Sequence, residues 1–212
     1  MVVAVGVVAL AFLGVVPLLS GTEQAGRTQT ATDAAALAGA GEVRRVALDS
    51  VGAVVMGETT FAALLGPARG HGQAADYASR NGAELVRYAQ DPWRDEVRAR
   101  TSLREQMPDG QRAERDGVAE LGVALARCAV DSRDVVVGYE PVPEPEPEPS
   151  DGDTEPGAPP EPVEEPEPTP IIETDYRFTC PGYDSGWTRP RAALEGPVRS
   201  WLTGALEPRL VR

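Results

Sequence analysis

The chain opens with an apolar run over residues 1–19, MVVAVGVVALAFLGVVPLL, which only Gly6, Gly14 and Pro17 interrupt. No charged residue occurs before Glu23. A helix of this length would be about 28 Å long at 1.5 Å per residue, close to the hydrocarbon thickness of a bilayer. The pattern therefore predicts a transmembrane anchor at residues 1–19. A cleaved signal peptide is the alternative, but the run lacks a basic leading region and a clear small-residue cleavage site.

Residues 20–57 continue with an alanine-rich pattern that predicts helix, because alanine has the highest helix propensity. An apolar stripe recurs at helical spacing through Leu37, Ala40, Val43, Val46 and Ala47. Small residues four and three positions apart would let another helix approach closely. The candidate helix-packing positions are Ala34, Ala38 and Gly41. The alternative is an ordinary surface helix that continues out of the bilayer.

The letters QTATDAAALAGA, residues 29–40, follow the apolar run. This block resembles the pattern Q-x-A-x-D-A-A-A-L-A-x-A of TadE/TadG-like proteins of the Tad (tight adherence, Flp) pilus assembly systems. The likeness covers roughly residues 1–45 of 212. It implies a membrane-anchored, pilin-like or pseudopilin component of a pilus or secretion apparatus. The usual basic stretch before the helix and a Glu five residues into the run are both missing, so prepilin-type processing is not implied.

Residues 58–139 predict a small α+β domain, which we expect outside the cytoplasm. Helical and alternating patterns follow one another here, separated by turn residues. The predicted elements are a helix at residues 61–65 capped by the pair Thr59-Thr60, a loop at residues 70–72, a helix at residues 73–81, and paired strands at residues 84–90 and 96–103. The pair Asn81-Gly82 is a strong signal for the end of a helix.

A weak internal repeat runs through the same region. The spacing of Gly82, Leu85, Arg87, Ala89 and Asp91 recurs within residues 122–131. A duplicated unit predicts a second helix over residues 112–123. Chance similarity in a chain of biased composition is the alternative.

Residues 140–170 are rich in proline and acidic residues. Such a segment cannot bury a core, so we expect a disordered spacer with a reach on the order of 95 Å at 3.1 Å per residue. Residues 139–175 contain thirteen acidic residues and no Arg, while the rest of the chain has twenty acids and twenty Arg. The acidity therefore belongs to one segment, and nucleic-acid binding is not expected. The spacer is either a stalk or an inert linker in a surface loop.

Residues 171–212 return to ordinary composition and predict a short strand around Tyr176, then an amphipathic helix that begins after Pro190. The apolar face of that helix comprises Leu194, Val198, Trp201, Leu202 and Ala205. Cys128 and Cys180 are the only cysteines, and outside the cytoplasm they would form a disulfide that docks this tail on the domain. The alternatives are two free thiols and a tail helix free to bind a partner.

No catalytic motif accompanies these segments. His71, the single histidine, lies between two glycines and is expected as a solvated loop residue, because a catalytic base needs a positioned nucleophile. One His and two Cys do not supply the usual ligands of a structural zinc site. We therefore expect no enzymatic activity, cofactor, metal or small-molecule substrate.

Together these patterns predict an α+β fold with a long N-terminal membrane-anchored helix, a small antiparallel β-hairpin and helix domain, a disordered Pro/Glu spacer and a short C-terminal helix. The expected function is a TadE/TadG-like subunit, single-pass in the cell membrane with its C-terminal part extracytoplasmic. Its expected partners are the membrane and other pilus or secretion subunits. The alternative is a surface or wall-spanning protein whose spacer displays a C-terminal binding segment.

Overall fold

The computed structural model describes residues 2–107, 110–142 and 167–211, with side chains described from residue 23 onward. Helices α1 to α5 span Val2–Asp49, Val51–Met56, Phe61–Leu64, His71–Arg80 and Glu195–Ala205. Strands β1 to β7 span Ala83–Asp91, Glu96–Gln106, Arg112–Glu120, Ala129–Tyr139, Pro170–Cys180, Tyr183–Asp184 and Arg209–Val211. Short 3-10 turns lie at Leu125–Arg127 and Arg191–Leu194.

The strands form two antiparallel sheets, one in the order β1-β2-β3-β7 and one in the order β4-β5-β6. In the first sheet, β1 and β2 form the predicted hairpin, with Ala83 opposite Leu103 and Asp91 opposite Glu96. Helix α1 lies across this sheet in contact with β2 and β3, and α4 packs beside α1. The helix followed by a hairpin is therefore confirmed.

Local signals fixed the ends of the short helices with one exception. The hydroxyl of Thr60 accepts a hydrogen bond from the Ala63 N–H at 3.1 Å, which confirms the predicted cap of α3. Helix α4 ends at Arg80, and Gly82 follows with φ of 74°. The predicted loop at residues 70–72 is wrong, because Gly70 already turns the chain and His71 begins α4.

Helix α1 packs against the first sheet through small side chains. Ala31, Ala35, Ala36 and Ala40 are fully buried. Thr32 is also fully buried, and its hydroxyl lies 2.6 Å from the hydroxyl of Thr101 on β2. Small side chains let a helix approach a sheet closely, so the alanine block first serves packing within this chain.

The C-terminal segment packs onto the core. Leu194, Val198 and Leu202 are buried, and Trp201 and Ala205 pack against the same core. Three arginine side chains donate to backbone carbonyls across the junction between the N-terminal helices and the tail: Arg44 to Leu206 at 2.6 Å, Arg191 to Val55 at 2.5 Å and Arg199 to Leu48 at 2.7 Å. Strand β7 then extends the first sheet beside β3. Of the two alternatives for the tail, the docked one is observed.

The predicted disulfide between Cys128 and Cys180 is confirmed. It joins the residue before β4 to the last residue of β5, and these two strands pair along their whole length. At the other end of the pair, the Glu140 N–H donates to the Thr169 carbonyl at 2.9 Å. Most of the predicted spacer, residues 143–166, lies outside the described residues. Because both of its ends adjoin, the segment does not hold the tail at a distance from the domain.

The expected fold class is wrong in its membrane-anchored helix and in its single hairpin. Among the residues whose side chains are described, no helix is long and apolar enough to cross a membrane. From Glu23 onward α1 carries charged residues, of which Arg27 and Arg45 are exposed. The anchor predicted at residues 1–19 lies outside the described side chains. Instead of one hairpin, the described ranges contain two antiparallel sheets, and the protein is α+β.

The duplicated unit is also wrong. The second helix expected at residues 112–123 is strand β3, which pairs with β2. The physical reason is the burial pattern, because Gly117 and Ala119 are buried at a spacing of two, which is the period of a strand. Residues 122–131 form turns and the start of β4, which pairs with β5.

Asp95 joins the hairpin turn to the end of β3. Its φ is 67°, in the left-handed region that asparagine and aspartate tolerate better than most residues. Its carboxylate accepts the Leu121 N–H at 2.8 Å and the Gly122 N–H at 2.7 Å. Burial raises the pKa of Asp95 above its ordinary value, while these backbone hydrogen bonds act in the opposite direction.

Replacing Asp95 with alanine is expected to lower the free energy of unfolding by about 2–4 kcal/mol. The substitution leaves two backbone N–H groups without their acceptor and puts a Cβ-bearing residue with no local hydrogen bond at positive φ. Asp95→Asn tolerates that backbone and keeps one of the two acceptor oxygens, so it should cost about 1 kcal/mol less than the alanine substitution. Urea unfolding of both variants measures the difference, and equal stability of the two would contradict this role.

Candidate functional site

The three predicted helix-packing residues lie together on the surface of α1. Ala34, Ala38 and Gly41 are each partly buried and line one shallow groove between α1 and α4, with a volume of about 620 Å³. The remaining lining residues are Leu37, Glu42 and Arg45 of α1 and Gln73 and Tyr77 of α4. The sequence therefore identified one wall of this groove and missed the other.

The groove forms because two neighbouring faces of α1 are buried to different extents. Residues three and four positions apart share a face of a helix, so Ala34, Ala38 and Gly41 form one row beside the buried row. Helix α4 packs through Ala74 and Ala78, both fully buried, and leaves that second row partly open. A Cβ built at Gly41 would meet no atom within 4 Å. The groove floor is therefore a surface of small side chains with space above it.

The charges at the edge of the groove are paired with one another. The guanidinium of Arg45 bonds Glu42 at 2.7 Å and Asp49 at 2.7 Å, and this contact holds the pKa of Glu42 below its ordinary value. On the α4 side, Arg80 pairs with Asp76 at 2.7 Å and lies 5.2 Å from the centre of the Tyr77 ring. The floor lined by small residues carries no charge. This arrangement suits an uncharged helix surface better than a charged ligand.

The single histidine lies apart from any described nucleophile. The rings of His71 and Tyr88 meet edge to face with centroids 5.8 Å apart. The Tyr88 hydroxyl donates to the Arg69 carbonyl at 2.5 Å, and burial raises the pKa of that phenol. Within the described ranges, no group of three His, Cys, Asp or Glu side chains is placed to hold a metal ion.

Two surface features were not anticipated from the sequence. Tyr77 completes the groove and is 41% exposed, but only the packing of α4 on α1 brings it there. Val136 and Ile172 lie opposite each other on β4 and β5, and both are more than half exposed. A valine run such as residues 135–137 was a detectable strand signal, although its exposure depends on the sheet order.

No family model matches the chain, and no curated protein or solved structure matches it either. The likeness to TadE/TadG-like proteins therefore stays a prediction from the apolar run and the alanine block.

Proposed function

We propose that this protein is a non-enzymatic, pseudopilin-like subunit of a TadE/TadG-like pilus or secretion apparatus, and that it contacts another subunit through the groove between α1 and α4. The observation that carries the proposal is the row of Ala34, Ala38 and Gly41, which is partly open beside the row that packs on the chain's own sheet. A helix whose only task was to cover this sheet would need small residues on one face alone.

The proposed occupant of the groove is a helix of another subunit. Small residues four and three positions apart let two helices approach closely, which favours a helical occupant over a loop. The floor is uncharged, and the exposed charges of Arg45, Glu42 and Asp49 are paired with one another at the rim, where salt screens the one negative charge that remains. Tyr77 offers a large apolar ring at the rim, which is typical of the residues that contribute most to binding.

The proposed location is the extracytoplasmic side of the cell membrane. The disulfide between Cys128 and Cys180 supports this location, because disulfides persist in oxidising compartments and are rare in the cytosol. The alternative function, display of a C-terminal binding segment by the spacer, is not favoured by the described contacts. The tail packs into the core through Val198 and Leu202.

Substitution of Gly41 with arginine tests the groove without disturbing the fold. A Cβ at this position meets no atom within 4 Å, and replacing glycine in a helix adds up to about 1 kcal/mol of stability. We expect Gly41→Arg to raise or preserve the melting temperature while the yield of co-purified assembly subunits falls by about tenfold or more.

The matched control is Gly196→Arg, which makes the same change on α5 at an exposed glycine outside the groove, where a Cβ also meets no atom within 4 Å. Its yield of co-purified subunits should equal that of the wild type. Deletion of residues 31–41 would be a poorer test, because the buried Ala31, Ala35, Ala36 and Ala40 lie within it. Undiminished co-purification by Gly41→Arg would refute the proposed contact.

A further inference from the structure

Exposed apolar side chains are concentrated at the end of the β4–β5 pair that lies away from the disulfide. Six of the eleven large apolar residues that are exposed in the described ranges lie there, and they are Val136, Val137, Tyr139, Val142, Ile171 and Ile172. Away from this end, Phe178 of β5 is buried in the core, and Arg133 of β4 and Arg177 of β5 lie over the Trp187 ring. Apolar residues concentrated at one place on a surface mark an interaction site.

Strand β4 is also an open edge, since it pairs only with β5 among the described strands. The first sheet has two edges of its own, and each is protected: β7 has only three residues, and β1 carries the charged residues Glu84 and Arg87 on either side of its exposed Val86. Residues 135–139 of β4 contain no charge. Their register also shifts between Val136 and Gly138, but the extra residue, Val137, is apolar and exposed. Residues 135–139 of this edge therefore lack the charges that usually prevent pairing with another strand.

We propose that β4 is a dimerisation edge at which a second copy of this chain adds its own β4 in the antiparallel direction, with a two-fold axis near Val136. The two three-stranded sheets would become one six-stranded sheet. The unpaired backbone groups of β4 find partners only in another strand, and a two-fold axis lets one edge satisfy an identical edge. This surface is separate from the groove on α1, so the inference does not rest on the proposed function.

The side chains of β4 complement themselves about such an axis. With the axis near Val136, residues 135–137 of the two chains meet around it, which brings β-branched side chains together across the new junction. Arg133 keeps its own partners, Asp175 at 3.2 Å and the Trp187 ring at 4.3 Å, and adds no unpaired charge there. The uncharged stretch of one chain therefore meets the same stretch of the other.

The charge distribution selects the antiparallel direction and a second copy over a lipid surface. Antiparallel pairing separates the two Tyr139 residues by six positions, or about 20 Å at 3.3 Å per residue. The acidic segments that follow them then leave from opposite ends, farther apart than the screening length of about 8 Å in physiological salt. Parallel pairing would bring both segments together. A membrane carrying anionic lipids would repel the same acidic residues.

The experiment is sedimentation equilibrium of the full chain in a mild non-ionic detergent, over concentrations from about 1 to 100 µM, the range of modest protein affinities. We expect a reversible monomer–dimer equilibrium for the wild type. Val136→Arg should raise the dimer dissociation constant by more than about tenfold, because two like charges then face each other. Val136 is 55% exposed, so its melting temperature should not change.

Two controls separate this edge from the other surfaces. Val86→Arg makes the same change at a valine that is 53% exposed on β1, an edge strand of the other sheet, and should leave the dimer intact. Gly41→Arg should also leave it intact, since that residue lies in the α1 groove. A wild type that stays monomeric to the highest concentration overturns the proposal. So does a Val136→Arg dimer as stable as that of Val86→Arg.

Discussion

Replacing Cys128 and Cys180 together with serine is expected to lower the free energy of unfolding by about 4 kcal/mol. The bond closes a loop with a sequence separation of 52, and its main effect is to restrict the unfolded chain. The loss should be large relative to the total, because domains of this size are stable by only about 5–15 kcal/mol. The bond also ties β5, and with it the docked tail, to the rest of the core.

Urea unfolding at equilibrium, followed by circular dichroism, measures this loss. The wild type under reducing conditions is the matched control, because it lacks the bond but keeps both sulfur atoms. Its stability should agree with that of the double serine variant. A difference of less than about 1 kcal/mol between oxidised and reduced wild type would show that the disulfide contributes little to the fold.

Replacing Phe178 with alanine is expected to cost about 3–5 kcal/mol, the usual range for removing a buried aromatic ring. Phe178 is fully buried on β5, opposite Val130 on β4, and its ring centre lies 6.3 Å from that of Tyr183. The tail helix packs in the same core, through Leu202. Loss of this ring should therefore loosen the contact between the second sheet and the tail.

Thermal unfolding and urea unfolding both measure this effect, with Tyr139→Ala as the control. Tyr139 is an aromatic residue of the paired strand β4 but is 62% exposed, so its loss should cost less than about 0.5 kcal/mol in the monomer. Similar costs for the two variants would contradict the packing described for β5.

The parts of the fold that the sequence predicted are those with strong local signals. Thr60, the Asn81-Gly82 pair and the alternation of β1 and β2 are each interpretable within a window of about ten residues. The disulfide followed from there being two cysteines and an expected extracytoplasmic location. These features depend little on distant parts of the chain.

The parts that failed depend on tertiary contacts. Strand β3 contains five charged residues in nine, and only its pairing with β2 and its cover by α1 make it a strand. The alanine block was interpreted as a surface for other subunits, whereas Ala31, Ala35, Ala36 and Ala40 cover the chain's own sheet. Spacing within α1 located the row of Ala34, Ala38 and Gly41, but it could not predict the wall that α4 adds.

We propose that the groove between α1 and α4 holds a helix of another subunit. A photo-crosslinking amino acid placed at position 41, in the cells that make the protein, tests this proposal directly, with the exposed position 196 on α5 as the matched control. We expect position 41 to form a crosslink to one defined subunit of a pilus or secretion apparatus, identified by mass spectrometry, and position 196 to form none. No crosslink at position 41, or the same products from both positions, would contradict it.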